Sequence, residues 1–329
     1  MSTRQSYRLL GLLLVISLAA GLHYGAYAIH WQPGTLAETD RQVLWMIRLP
    51  RLLMAMLVGA SLAATGVVMQ ALLRNPMADP GLLGIASGAS LAVGLYIVLL
   101  PTLAVGWLGS YLQTIVAFVG ALGSCGLIFH LAKKSQQVSV LHLLLAGLAI
   151  NALAGAATGL LTYVSNDQQL RALSFWAMGN LGGARWSHVA IMASLLLPCL
   201  LYLCRISHVL NLLLLGEQEA HYLGITVEQL KKRLIFITAL CVGICVAFTG
   251  LIGFVGLMIP HFIRLLVGGD HRRLLPASLL LGAAWLSATD TLARTLVAPA
   301  EIPVGLITSL FGGGFFLWLL HRSFKERSC

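Results

Sequence analysis

The chain has 329 residues, of which 58% are hydrophobic and 10% charged, with 34 glycines and a mean hydropathy of +0.88. A soluble domain averages about 45–50% apolar and about 25% charged residues, so this composition excludes both a soluble enzyme and a disordered chain and fits a bilayer. The 21 Lys and Arg against 11 Asp and Glu give a net charge of +10, but no basic cluster is long enough for a nucleic-acid patch, and the excess reads as loop topology.

At about 20 apolar residues per spanning helix, hydropathy predicts ten spans near 9–29, 52–73, 82–100, 108–132, 140–164, 189–204, 234–249, 251–268, 274–293 and 303–320. Arg4 and Arg8 ahead of an apolar run, then Ala26-Tyr27-Ala28, imitate a secretory signal peptide. The run from Leu9 to Ile29 is long for such a segment, so it is read as a retained first span. With the N-terminus inside, most basic residues, among them Lys133, Lys134, Lys231, Lys232, Arg272 and Arg273, fall on the cytoplasmic side. Only Arg41, Arg48, Arg51, Arg171, Arg185 and Arg294 fall outside, with Arg264 inside a span, as the positive-inside rule requires.

Small residues four apart, Gly59 with Ala63 and Gly84 with Gly88, predict close helix contact. The six cysteines lie mostly in apolar runs without CxxC spacing, so neither a disulfide framework nor a zinc site is predicted; Cys241 and Cys245 share a helix face as packing residues. Ile206 to Arg233 is the longest hydrophilic stretch, and the spacing of Ala220, Leu223 and Val227 predicts short amphipathic helices with one apolar face. Flanked by Glu217, Glu219 and Glu228, that face suits a protein partner better than an anionic leaflet. Between 249 and 268, Gly250, Gly253 and Gly256 recur every third residue and Pro260 removes a helical hydrogen bond, predicting a bent or re-entrant element.

Several chemistries lack their residues. None of the five lysines follows a glycine, so there is no P-loop; there is no HExxH, and Ser87 lacks the GxSxG pattern. Asp290 is the clearest acid within a span and stands four residues before Arg294, the spacing of a helical ion pair. A single neutralised acid is poor support for an ion-coupled secondary transporter, the competing class, which needs an ionisable relay at mid-membrane. Arg48, Arg51 and Arg294 at the outer span ends have two readings: snorkelling or pairing with Asp290, or recognition of carboxylates on an external partner by forked guanidinium groups.

The segments 47–51 (IRLPR), 59–89 (GASLAATGVVMQALLRNPMADPGLLGIASGA), 216–225 (GEQEAHYLGI), 250–276 (GLIGFVGLMIPHFIRLLVGGDHRRLLP) and 301–316 (EIPVGLITSLFGGGFF) resemble the FecCD-type permeases of ABC importers, which move cobalamin, iron siderophores or haem across the bacterial inner membrane. The resemblance covers nearly the whole chain. It implies an all-α integral membrane protein with the type II ABC importer permease fold, one transmembrane domain over 1–329 with a cytoplasmic coupling loop at about 206–233, and both termini cytoplasmic.

It also implies a homodimer, a cytoplasmic ATPase dimer that binds ATP and magnesium, and a periplasmic binding protein, with no enzyme chemistry, cofactor or metal in this chain. By the same resemblance Gly216, Glu217, Ala220, Leu223 and Gly224 form the coupling loop, and Arg48, Arg51 and Arg294 meet acidic residues of the binding protein. Met69, Gln70, Ser87 and Asn151 belong to the translocation pathway, with a cytoplasmic gate near Ser139 and Val140. The stretch 170–186 (LRALSFWAMGNLGGARW) resembles the haem importers within the family, with Arg171 and Arg185 guiding the two propionates. The expected order of cargo is haem, then ferric siderophore, then cobalamin.

Overall fold

The computed structural model describes residues 3–29, 37–100, 106–134 and 137–327. Fourteen α-helices are present among them: α1 (Thr3–His23), α2 (Glu38–Gln42), α3 (Leu49–Leu72), α4 (Ile85–Leu99), α5 (Gly106–Ala132), α6 (Val140–Val164), α7 (Asp167–Ala177), α8 (Trp186–Arg205), α9 (Ser207–Leu215), α10 (Glu217–Tyr222), α11 (Val227–Thr249), α12 (Val255–Val267), α13 (His271–Ala293) and α14 (Val304–Arg327). A π-helix at Val43–Arg48 fuses α2 to α3, and a 3-10 turn at Pro80–Leu83 precedes α4. Two-residue strands β1 (Lys133–Lys134) and β2 (Gln137–Val138) pair antiparallel between α5 and α6, with Lys133 opposite Val138.

Among the described residues seven helices, not ten, are long and apolar enough to cross a membrane: α1, the continuous segment Glu38–Leu72, Tyr111–Ala132, α6, α8, α11 and Val304–His321. Three predicted spans fall short for two physical reasons. α4 and α12 have only 15 and 13 residues, because each begins after a break inside the bundle. α13 is long enough, but Ser278, Ser287, Thr289, Asp290 and Thr291 dilute its hydropathy, and all five are buried against protein.

The bundle is organised around α3, which is buried almost throughout and packs on α13, α12, α11 and α8. Its glycines permit this. A Cβ on Gly59 would overlap the carbonyl of Gly282 in α13, and one on Gly66 would overlap the carbonyl of Gly256 in α12, so the predicted close contact at Gly59 and Ala63 is present. Gly88 likewise abuts Gly120 and Ser124 of α5.

The break before α12 matches the predicted re-entrant element. Gly250 and Phe254 both have positive φ (+70° and +67°), Phe254 in the left-handed helical region, and between them Leu251 and Ile252 are half-buried while Gly253 is exposed. α12 then starts beside Gly66, well inside the bundle. The start of α1 and the start of α13 meet where Tyr7 Oη donates to the Arg273 carbonyl (3.0 Å) and Arg273 Nη1 to Thr3 Oγ1 (3.2 Å). This end, which also carries the α9–α10 segment, is called the terminus end, and the other, with the π-helix and α7, the far end.

Candidate transport and docking sites

At the far end the π-helix widens one turn of the α2–α3 rod and directs Arg48 inward. Its guanidinium donates to the carbonyls of Leu22, His23 and Tyr27, the orphan acceptors at and beyond the end of α1. Arg51, one turn later, reaches two acids. Nε bonds both oxygens of Asp290 at 3.0 Å, Nη2 lies 2.9 Å from Asp290 Oδ1, and Nη1 bonds Glu301 at 2.9 and 2.8 Å. Arg294 completes the cluster, with Nε 3.4 Å from Asp290 Oδ2 and Nη2 donating to the Gly21 carbonyl at 2.8 Å.

Arg48, Arg51 and Arg294 are therefore buried in the protomer, at 2%, 5% and 4% exposure. A guanidinium at that depth needs partners inside the protein: the α1 carbonyls bind Arg48, Asp290 and Glu301 bind Arg51, and Arg294 has the Gly21 carbonyl and the Asp290 charge, although its buried Nε makes no hydrogen bond. Of the two readings left open by the sequence, pairing with Asp290 holds for Arg51 and Arg294. The sequence reading missed Glu301, which stands in the EIPVG stretch and keeps a side-chain exposure of 39%. Beside this cluster, Glu38 and Arg41 of α2 and Glu301 are exposed charges.

At the terminus end, Gly216 (φ +131°) separates α9 from α10 and Gly224 (φ +85°) ends α10, two positions where a side chain would be strained. Lys231 of α11, itself buried, binds Glu217 Oε2 at 2.6 Å and Glu228 Oε1 at 3.1 Å and so clamps α10 onto α11. Ala220 and Val227 are buried, whereas Leu223 is 60% and Tyr222 87% exposed. The single apolar face predicted from Ala220, Leu223 and Val227 is thus split: the first and last pack inward, and Leu223 projects with Tyr222, which the sequence reading had passed over. Asp270 caps α13 through the Arg272 amide (3.0 Å) and accepts from Asn211 Nδ2 (2.7 Å), tying α9 to α13. Those two donors hold its carboxyl below the usual carboxylate range.

The pathway candidates fall into two groups. Met69 and Gln70 are buried within the protomer; Gln70 Oε1 accepts from Arg264 Nη2 at 2.7 Å and its Nε2 faces the Leu257 carbonyl at 3.5 Å, so Gln70 joins α3 to α12. Ser87 and Asn151 are partly exposed and bond each other at 2.5 Å, with Asn151 Nδ2 donating to the Gly81 carbonyl at 3.3 Å. They hold α4, α6 and the 3-10 turn together. Ser139 caps α6 through the His142 amide at 3.5 Å, and Val140 starts that helix half-buried at the terminus end.

α6 and α14 show the outside of the protomer. Leu148, Leu153 and Leu160 on α6 are 69%, 67% and 68% exposed, and Leu310 and Leu317 on α14 are 77% and 70% exposed. Arg171 and Arg185 are both exposed at the far end, on different elements. Arg171 lies on α7, which is started by a reciprocal cap between Asn166 and Gln169, and Phe175 (59% exposed) stands one turn along the same face. Arg185 precedes the first turn of α8. Among the described residues no group of three or more His, Cys, Asp or Glu is placed to hold a metal ion.

Known proteins resemble this chain over nearly its whole length. The sequence is 51% identical over 324 residues to the hemin transport system permease protein HmuU of Yersinia pestis, covering 96% of this chain and 95% of the relative. It is 42% identical over 315 residues to the vitamin B12 import system permease protein BtuC of Klebsiella pneumoniae, covering 95% and 92%. The fold superposes with a TM-score of 0.87, at 34% identity and over 98% and 100% of the two chains, on a protein assigned to the metal-chelate type of ABC transporter and solved in an inward-facing conformation. Residues 9–322 match the FecCD transport family, and with buried arginines at one end, a projecting Tyr222–Leu223 tip at the other and a helix bundle between them, the chain belongs to that family.

Proposed function

We propose that this chain is the permease subunit of an ATP-driven ABC importer that carries haem from the periplasm to the cytoplasm. The observation that carries this reading is the 51% identity to a hemin transport permease along nearly the whole of both chains. Cobalamin is the second reading, supported by the 42% identity to a vitamin B12 permease, and a ferric siderophore remains the third family cargo. The iron is cargo here, not a resident cofactor.

In this reading α4, α12 and α13 complete ten spans of a type II importer in the bacterial inner membrane, forming one transmembrane domain over residues 1–329. The terminus end, rich in Lys and Arg, is cytoplasmic, as the positive-inside rule favours. Two copies associate through their exposed α6 and α14 faces, and the pathway runs between them, with Ser87 and Asn151 near it and Ser139 and Val140 at its cytoplasmic mouth. A dimeric ATPase holding ATP and magnesium docks on the coupling segment 206–233. Tyr222 and Leu223 are the inserted tip, while Gly216, Glu217, Ala220 and Gly224 set its shape.

A periplasmic binding protein docks at the far end. Arg48, Arg51 and Arg294 hold the geometry of that end, and Glu38, Arg41 and Glu301 offer the exposed charges that orient a partner. Arg171 and Phe175, on one exposed face of α7, suit a ligand with carboxylates and a flat aromatic ring, and Arg185 is a second cation at the same end.

The test is ATP-dependent accumulation of haem, ferric siderophore and cobalamin in proteoliposomes that contain this chain, its ATPase and its binding protein. Haem accumulation above the other two supports the assignment. Accumulation of cobalamin instead would move the chain to the second reading, and uptake that persists without the ATPase would overturn the importer mechanism.

A further inference from the structure

α5, α8 and α11 enclose a half-open groove of about 430 Å³ on the flank of the protomer. Its floor is Ile244, Ala247 and Phe248 of α11, and its walls are Ile115 and Phe118 of α5 and Ile191 and Leu195 of α8. The surrounding surface of α5 and α8 carries large exposed aliphatics such as Val119 (61%) and Leu201 (64%), so the groove opens on hydrocarbon. From Tyr111 to Phe118 it runs about 10 Å down the helix axis, starting at the far end.

The far-end rim is built differently. Tyr111 Oη donates to Ser187 Oγ at 3.0 Å, which leaves the Ser187 hydroxyl hydrogen for another acceptor. The His188 ring packs edge-on to Tyr111 (5.6 Å) and 5.4 Å from Phe248. Arg185, the extended residue that caps the start of α8 three positions before His188, is exposed and forms no ion pair among the described residues. Alongside, the Trp186 ring packs against that of Trp45 at 5.4 Å, tilted by 41°, and donates Nε1 to the Trp45 carbonyl at 2.9 Å. Paired tryptophans and a tyrosine at one height mark the bilayer interface, so Ser187, bonded to the groove-lining Tyr111, and Arg185 at the start of the same helix lie at headgroup level at the end of an apolar slot.

We propose that this groove is a phospholipid site: one acyl chain lies along Ile115, Phe118, Ile191 and Leu195, and the phosphate is held by Arg185 and the Ser187 hydroxyl. An apolar slot left empty forfeits dispersion contacts, a guanidinium matches a phosphate in geometry and charge, and a phospholipid supplies both halves in one molecule. A transmembrane helix of a partner would fill the slot but would not supply an anion at the rim.

The experiment is native mass spectrometry of the purified full-length permease after detergent delipidation and incubation with phosphatidylglycerol. Wild type retains one tightly held lipid per protomer. Ala247→Trp, which fills the floor, and Arg185→Gln, which removes the phosphate partner, each lower that retention by at least about tenfold, as loss of a charge-assisted or well-packed contact does. Leu201→Trp, on the lipid-facing surface outside the groove, leaves retention unchanged. Equal retention in all four proteins overturns the site, as does an Ala247→Trp protein that retains its lipid but changes oligomeric state, which would assign the groove to a protein neighbour. Ser187→Ala at a surface position gives a milder version of the Arg185 result and guards against a failure of the Trp variant to fold.

Discussion

Arg51 of α3 grips the wholly buried carboxylate of Asp290 on α13, with Nε 3.0 Å from both oxygens and Nη2 2.9 Å from one, while its remaining nitrogen holds Glu301. The pair closes the far end of the α3–α13 contact, the most extensive in the bundle. Asp290→Ala leaves Arg51 with Glu301 as its one carboxylate and Arg294 with none, and lowers stability by about 3–5 kcal/mol, the usual cost of removing one partner from a buried pair. The melting temperature of the detergent-solubilised protein reads this out. Arg51→Ala has a similar cost, and the double variant loses much less than the two single losses summed, since the stranded charge is then partly removed. Additive losses would show that the two residues act separately.

The split face of the coupling segment separates two variants that the sequence treats alike. Leu223→Asp puts a charge on an exposed tip, so the protein folds and inserts normally, while ATP-driven uptake and stimulation of ATP hydrolysis fall by about tenfold or more, as for a central interface anchor. Ala220→Asp puts the charge against α9 and α11 and destabilises the permease itself. Size-exclusion profile and uptake, measured together, distinguish them: a Leu223→Asp protein with normal uptake would remove that residue from the ATPase contact.

How much of this was legible beforehand depends on the range of the interaction. The span positions, the break at Gly250 and the i,i+4 pair of Asp290 with Arg294 follow from local pattern, since hydropathy, glycine and helical spacing act within a few residues. The fate of Arg51 does not, because its partners lie 239 and 250 residues away in the chain. Gln70 with Arg264 and Leu257 poses the same problem, at separations of 194 and 187 residues. Near Ala220, Leu223 and Val227 the error came from periodicity: Gly224 ends α10 between Leu223 and Val227, so the helical face that the spacing projects across it does not exist.

Asp270 predicts a dependence on pH. Its carboxyl is held below the ordinary range first by Asn211 and then by the Arg272 amide, so the folded state favours the charged form. That contribution is complete above the unfolded value of about 3.9 and is lost as pH falls through the lower folded value. The melting temperature of the wild-type protein should therefore fall more steeply than that of Asp270→Asn between about pH 5 and pH 2. At neutral pH, Asp270→Ala costs about 0.5–2 kcal/mol through loss of the helix cap. Parallel acid profiles for wild type and Asp270→Asn would show that the carboxylate charge contributes nothing.

The proposed cargo recognition at the far end uses the paired exposure of Arg171 and Phe175 on α7, a helix fixed at its start by the Asn166–Gln169 cap and by Gln169 Nε2 donating to the Ile97 and Val98 carbonyls at 3.2 and 3.3 Å. Because the backbone is held by those bonds and not by the exposed face, Arg171→Gln and Phe175→Ala leave the fold intact. Each removes one feature of an amphipathic flat ligand: the guanidinium that meets a carboxylate, or the ring that stacks on an aromatic plane. Haem uptake in the reconstituted system should therefore drop by about three- to tenfold for Phe175→Ala, the loss of one ring contact, and by about tenfold or more for Arg171→Gln, the loss of one charge-assisted hydrogen bond. Ile97→Ala, a partly buried neighbour whose carbonyl and not its side chain holds Gln169, controls for general disturbance and should change uptake less than either. A loss confined to Phe175→Ala would leave the ring contact and remove Arg171 from cargo guidance, and unchanged uptake in both would move recognition to the binding protein alone.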